Sequence, residues 1–416
     1  MRPFLFAILM LAVLVSFGQQ QRPDFTDEFQ IGIFWPPVWE HANLKQYKLI
    51  NEANIGYIQN VLGSLLDTEE RNLKMLGLCE KCRLKLFVAD PRVNGTKADI
   101  REMIQVYGDH VATAGYYVID EPHFDGIEAA AKKYQTILEF DRQVVPYVNL
   151  LPQWSLPDYN LYVTQWIESC GMENLKYLSF DCYPFMADGS FRESYYENLD
   201  FIRRAGLENG VKTSCYLQSV GIPGVYRRPG VVDLRLNVFS CLAYGIKNMV
   251  WFTYWTPTNR GEVFTNAIID SCGQKTDLYL PFKQLNRQMK QLGKTLIGLD
   301  AVNVFHTGIK IPEDAEKLPS DFVVRPEDPE KELIISRFEQ NETHQTYVMI
   351  VNKSSERTEL IRMIVGPGVN GLKEISSVSG KTENVRFNRA NRKMGLKLLP
   401  GEGKLFRLER LMSEPG

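Results

Sequence analysis

The chain has 416 residues, 44% of them apolar and 24% charged, and carries a net charge of −2. That length exceeds one ordinary domain and suggests two or three. The near-neutral balance gives no footing for a nucleic-acid partner, and past the N-terminus no run is long and apolar enough for a transmembrane segment.

Residues 1–18 read as a signal peptide. Arg2 supplies positive charge, residues 3–15 are apolar, and Ser16, Phe17 and Gly18 lead into a run of glutamines. The mature protein is therefore expected to be secreted or periplasmic, with residues 19–30 as an N-terminal extension. The seven cysteines suit that compartment. Cys79 and Cys82 form a C-x-x-C, read as a local disulfide or a pair of free thiols. No second such pair or close His pair accompanies it to make a zinc site.

From residue 31 onward, strand signals recur about every thirty residues, the size of a strand-plus-helix unit. They are IGIFW (31–35), IGYIQN (55–60), LKLFVAD (84–90), GYYVID (115–120), VVPYVNL (144–150), KYLSFD (176–181), VKTSCYL (211–217) and NMVWFTYW (248–255). Between them, apolar residues step by three and four, as in ADIREMIQVYGDHV and YYENLDFIRRAGLENG, and predict helices. Strands flanked by amphipathic helices imply a parallel sheet, and eight units over 31–300 fit a closed (β/α)8 TIM barrel. An open dinucleotide-binding sheet would carry G-x-G-x-x-G, which is absent. After a last helix near 279–298 the pattern turns to short alternating strands. Residues 301–416 are thus expected to form a small β-sandwich, with residues 310–332 as a polar, Pro-rich surface loop.

In such a barrel the chemistry sits at the C-terminal ends of the strands. Those ends carry Trp35, Asp90, Asp120-Glu121-Pro122-His123, Asn149, Asp181 with Tyr183, Tyr216 with Gln218, and Trp255, and the eighth loop adds Glu262. Carboxyls, amides and large rings on one rim suit glycoside hydrolysis. One acid protonates a leaving oxygen, a second carboxylate stabilises or traps a cationic sugar, and rings and amides hold the substrate. Glu121 is the candidate proton donor, set between an apolar strand and a proline. Partial burial there would raise its pKa toward working pH. The alternative for any one of these residues is structural: a helix cap, a salt bridge or a core position. The histidines lack ligand-like spacing, so neither metal nor cofactor is expected.

The segment GYYVIDEP resembles the fourth-strand end of clan A glycoside hydrolases, where an Asn-Glu pair binds the sugar and supplies the acid/base. Here Asp120 and Glu121 occupy those positions. PYVNLLP, FDCYPF and WFTYWTP extend the likeness to family-42-like, β-galactosidase-like hydrolases over residues 31–300. The resemblance implies a carbohydrate substrate. It also implies a nucleophilic Glu ending strand seven, where this chain has Gln218. A second carboxyl must then come from Asp181, ranked first, or from Glu262. Otherwise Asp120 supports a substrate-assisted reaction similar to that of some N-acetylhexosaminidases. Trp35 and Trp255 are candidate sugar platforms. Asp90, Asn149, Tyr183, Tyr216 and Gln218 are candidate ligands for hydroxyls, and His123 is a candidate contact to a leaving sugar. A barrel that binds carbohydrate without cleaving it is the alternative that Gln218 raises.

Overall fold

Strand and helix alternate eight times in the computed structural model, which describes residues 24–258 and 261–410. The expected signal peptide lies outside the described residues. The barrel strands are β1 (Gln30–Phe34), β2 (Tyr57–Gln59), β3 (Lys85–Val88), β4 (Thr113–Asp120), β5 (Val145–Asn149), β6 (Leu178–Asp181), β7 (Thr213–Gln218) and β8 (Asn248–Phe252). The helices are α1 (Leu44–Glu52), α2 (Glu69–Lys81), α3 (Lys97–Tyr107), α4 (Ile127–Phe140), α5 (Tyr159–Cys170), α6 (Tyr195–Asn209), α7 (Val231–Ala243) and α8 (Tyr279–Leu296). All neighbouring strands in the order β5-β4-β3-β2-β1-β8-β7-β6 run parallel. The seam between β5 and β6 is spanned by a single parallel bridge, Leu150 to Phe180.

Local chemistry fixes where the elements start. Thr68 caps α2 by accepting from the Arg71 amide, with Glu69 and Glu70 in the positive first turn. Thr96 and Asp99 form a capping box at α3. Gly115 lets β4 approach β5, since a Cβ there would lie 1.9 Å from the Val145 carbonyl oxygen. The barrel interior is aromatic. Phe87 packs on Tyr57 and Tyr147 with ring centres 5.1 and 5.4 Å away, and Tyr216 meets Phe34 at 5.4 Å. The part of the expected N-terminal extension that is described, residues 24–29, plugs the bottom of this stack. Phe25 sits edge-on to Tyr57 and Phe87, and Asp24 pairs with Lys176 at 2.8 Å. The seven cysteines are free thiols, Cys79 and Cys82 included, so no disulfide joins that pair.

Two sheets follow the barrel. One holds β9 (Leu299–His306), β10 (Glu316–Lys317), β12 (Leu333–Gln340), β13 (Thr346–Asn352), β15 (Val369–Ile375), β16 (Thr382–Val385) and β18 (Gly403–Arg410). The other holds β11 (Val324–Pro326), β14 (Glu359–Val365) and β17 (Lys393–Leu398). Val348 and Ile350 of β13 face the smaller sheet, whereas Tyr347, Met349 and Val351 join the barrel's helix layer. The central strand β13 of the larger sheet is thus buried on both faces. The expected loop over 310–332 contributes two short strands, and its Pro326 lies on the edge strand β11, where no ladder donor is needed. In β15, Gly371 and interspersed polar residues weaken the alternation that marks a strand in sequence.

Candidate active site

Glu121 follows directly on β4 with φ +47°, in the left-handed region that costs a non-glycine residue roughly 1–2 kcal/mol. Its amide donates to the Asn149 carbonyl at 2.8 Å. Pro122 is held by the Tyr162 hydroxyl, which donates to its carbonyl at 2.7 Å and accepts from the Leu151 amide at 3.3 Å. The turned backbone places two consecutive carboxyls at the C-terminal end of β4. Asp120 faces the interior tyrosines and accepts from Asn149, while Glu121 hydrogen-bonds the Asp181 carboxyl across the β5–β6 seam.

Asn149 is the hub of that seam. Its Nδ2 donates to Asp181 Oδ1 at 3.0 Å, and its Oδ1 accepts from Ser179 at 3.2 Å. Ser179 and Ser214 are each within hydrogen-bond distance of the Tyr147 hydroxyl, at 2.6 and 3.2 Å. The site therefore stitches the barrel where its backbone ladder is thinnest.

Burial first, then the Glu121 charge, then that of Asp120, push Asp181 well above the usual carboxylate range. Burial also raises Glu121, against the hydrogen bond from Asp181 and the attraction of His123 when protonated. Two carboxyls in hydrogen-bond contact cannot both ionise cheaply, so the pair shares a proton. Asp120 is pushed up to about 7, by burial first and by Glu121 second. It is nonetheless open to solvent.

That Asp120 shift has a stability consequence. A carboxyl whose folded pKa is raised is protonated in the fold. The stability this brings is present below the unfolded value and lost as pH rises toward the folded one, here between about pH 4 and pH 7. Asp120→Asn is expected to be more stabilising relative to wild type at pH 8 than at pH 5. Urea unfolding at the two pH values measures it, and an equal difference at both removes the raised pKa.

Several expected ligands are spent on structure. Trp255 is 2% exposed, its ring lies 5.1 Å from His41, and it lines the hollow beside Trp35 with little open surface. Gln218 is 1% exposed. Its Oε1 accepts from the Phe185 amide at 3.0 Å, and its Nε2 donates to the Phe185 and Arg227 carbonyls at 3.2 and 3.1 Å. It braces two rim loops and has no donor left for substrate. Asp90 is buried, caps the turn over Pro91–Asn94, and is gripped by Arg92 and by the Tyr107 hydroxyl at 2.7 Å. The Tyr216 hydroxyl donates to Gln59 at 2.9 Å inside the barrel. Asn149 serves the carboxyls as described. Glu262 is exposed on the loop after β8, and it is not among the charges acting on Glu121 or Asp181.

What remains at the mouth is His123, Tyr183 and Trp35. His123 is exposed beside Glu121. Tyr183 stacks on Phe252 at 5.1 Å and meets Tyr226 edge-on at 5.5 Å. Trp35, with φ +63°, lies 5.8 Å from Phe252 and forms a wall of a hollow of about 400 Å³ between the ends of β1, β2 and β8. A belt of rings thus runs from that hollow to the carboxyls. Phe252, Tyr226, Arg192 and Tyr162 were not anticipated as site residues. Three lie in loops or a helix, where no periodic signal marks them, and Phe252 sits inside an apolar run. Among the described residues no group of three His, Cys, Asp or Glu is arranged for a metal, and no helix is long and apolar enough to cross a membrane.

The architecture is shared with solved glycoside hydrolases. The β-galactosidase of Bacillus circulans sp. alkalophilus aligns with a TM-score of 0.61 at 10% identity, over 92% of this chain and 99% of that one. A family 39 glycoside hydrolase from Bacteroides cellulosilyticus WH2 aligns at 0.54 and 11% identity, over 92% and 82%. The β-galactosidase of Marinomonas ef1 aligns at 0.52 and 12%, over 65% of this chain and 62% of that one, so this chain spans under two thirds of that enzyme. At such identities the likeness establishes the fold, a TIM barrel followed by a β domain. No family model and no curated protein matches the sequence.

Proposed function

We propose that the protein is an exported glycoside hydrolase in which Glu121 protonates the departing oxygen. The observation that carries this reading is the contact between the Glu121 and Asp181 carboxyls at the mouth of the barrel, where burial raises both and the Glu121 charge raises Asp181 further. A general acid must hold its proton near neutral pH and release it at a fixed point, and the pair meets both needs. A barrel that only bound sugars would have no use for three carboxyls forced together with raised pKa values. Export rests on the leader-like residues 1–18.

Asp181 fits the role of positioning residue rather than nucleophile. Retaining glycosidases separate their two carboxyls by about 5–5.5 Å and inverting ones by about 6.5–9.5 Å. Asp181 hydrogen-bonds Glu121 and leaves no room for a sugar between them. The second carboxyl is then Asp120, solvent-reached and held by Asn149. Adjacent Asp and Glu side chains at the end of β4 favour the substrate-assisted scheme, in which Asp120 orients a 2-acetamido group of the substrate while Glu121 acts as acid.

The test is a screen of aryl glycosides and glycans, with 2-acetamido sugars included. Cleavage confined to sugars bearing that group supports substrate assistance. Cleavage of plain hexosides removes it, and no cleavage of any glycan overturns the hydrolase reading. Asp181→Asn is expected to move the alkaline limb of the kcat/KM profile toward acid pH. Ionising the wild-type pair fully sets two negative charges side by side, and the variant has one. An unmoved limb would show that Asp181 does not hold the proton.

A further inference from the structure

Arg192 lies in the loop between β6 and α6, half-buried on the wall of the cleft. Its Nε donates to the Tyr183 carbonyl at 3.1 Å. The guanidinium carbon sits 4.6 Å from the centre of the Trp154 ring and 5.9 Å from that of Tyr226. These contacts fix the fork but leave its two terminal nitrogens without a hydrogen bond among the described residues, and no carboxylate there lies within ion-pair distance. The neighbouring rim arginines differ. Arg227 grips Asp233 at 2.6 and 2.8 Å, and Arg228 grips Asp277 at 3.2 and 2.6 Å. The Tyr183 carbonyl that holds the fork lies two residues beyond Asp181, so Arg192 stands on the rim at the end of β6. Trp154 is 51% exposed and offers open ring surface beside it.

We propose that the cleft takes an acidic glycan, one bearing a uronate carboxylate or a sulfate ester, and that the Arg192 fork binds that anion. The inference rests on the hydrolase reading and names its substrate class. A guanidinium presents paired donors that match carboxylate or sulfate oxygens, and charge-assisted bonds of this kind are about twice as strong as neutral ones. A half-desolvated cation with unused donors is costly until an anion arrives.

The experiment uses Glu121→Gln protein, whose turnover is slowed, in affinity electrophoresis. The gels contain polygalacturonate, its carboxyl-reduced form, a sulfated galactan, or the desulfated galactan. Retardation by one acidic polymer is expected to exceed that by its neutral counterpart by about tenfold in apparent Kd, the worth of one charge-assisted hydrogen bond. Which polymer does so tells carboxylate from sulfate. Adding Arg192→Gln is expected to remove the preference, and Arg192→Lys, which keeps charge without the fork, to weaken it. Should Arg192→Gln fail to fold, Arg192→Lys reads the same quantity. Equal retardation by acidic and neutral polymers, none by any of the four, or an undiminished preference in the variants overturns the assignment. The wild-type protein is given the same polymers and new reducing ends are counted. An acidic preference without cleavage leaves Arg192 in place and overturns the hydrolase reading alone.

Discussion

Glu121→Gln is expected to lower kcat/KM on a natural glycan by about 10²–10⁴-fold, the usual worth of a positioned general acid. The loss should shrink to within about tenfold when the leaving group is a dinitrophenolate, because such an anion departs without a proton. Glutamine fills the same volume and can still hydrogen-bond Asp181, so the unfolding midpoint should stay near that of the wild type. Kinetics on the two substrates separate the roles. Equal losses on both would mean that Glu121 shapes the cleft without donating a proton.

Gln218→Glu is expected to destabilise the fold by about 3–5 kcal/mol and to create no new activity. The substitution restores the carboxyl that a clan A enzyme would carry at the end of its seventh strand, so gain of function is the naive expectation. The local geometry opposes it. Gln218 Nε2 donates to the Phe185 and Arg227 carbonyls, and a carboxylate oxygen there would face both acceptors with nothing to give. The residue is buried, so water cannot relieve the clash. Denaturant unfolding measures the loss. A variant as stable as the wild type, or more active, would mean that the amide is not committed to the loops.

These two residues also mark how much of the site was legible. Glu121 could be read from a strand ending, a carboxyl and a proline, because local sequence sets where a β-strand stops. Its left-handed backbone, and the carboxyl it meets, could not. Asp181 lies on another strand and reaches Glu121 only because the barrel closes at the β5–β6 seam. Gln218 and Asp90 were placed at strand ends, but their side chains are committed to bracing loops. Whether a polar or aromatic group at a rim faces substrate or a neighbouring loop depends on residues far along the chain. Gln218 is satisfied by Phe185, 33 positions earlier, and Trp255 packs against His41. Arg192 had no signal at all, since its meaning lies in the acidic partner it lacks among the described residues.

The sequence by itself determined the alternation of strands and helices, the parallel barrel and the turn to β-structure near residue 300, because periodic burial of apolar side chains is a local property of a chain. Only the tertiary structure decided which rim carboxyls touch, which share a proton, and which amides are used up. Those are distances between residues far apart in sequence, and a proton's affinity follows from such distances and from the water excluded around them.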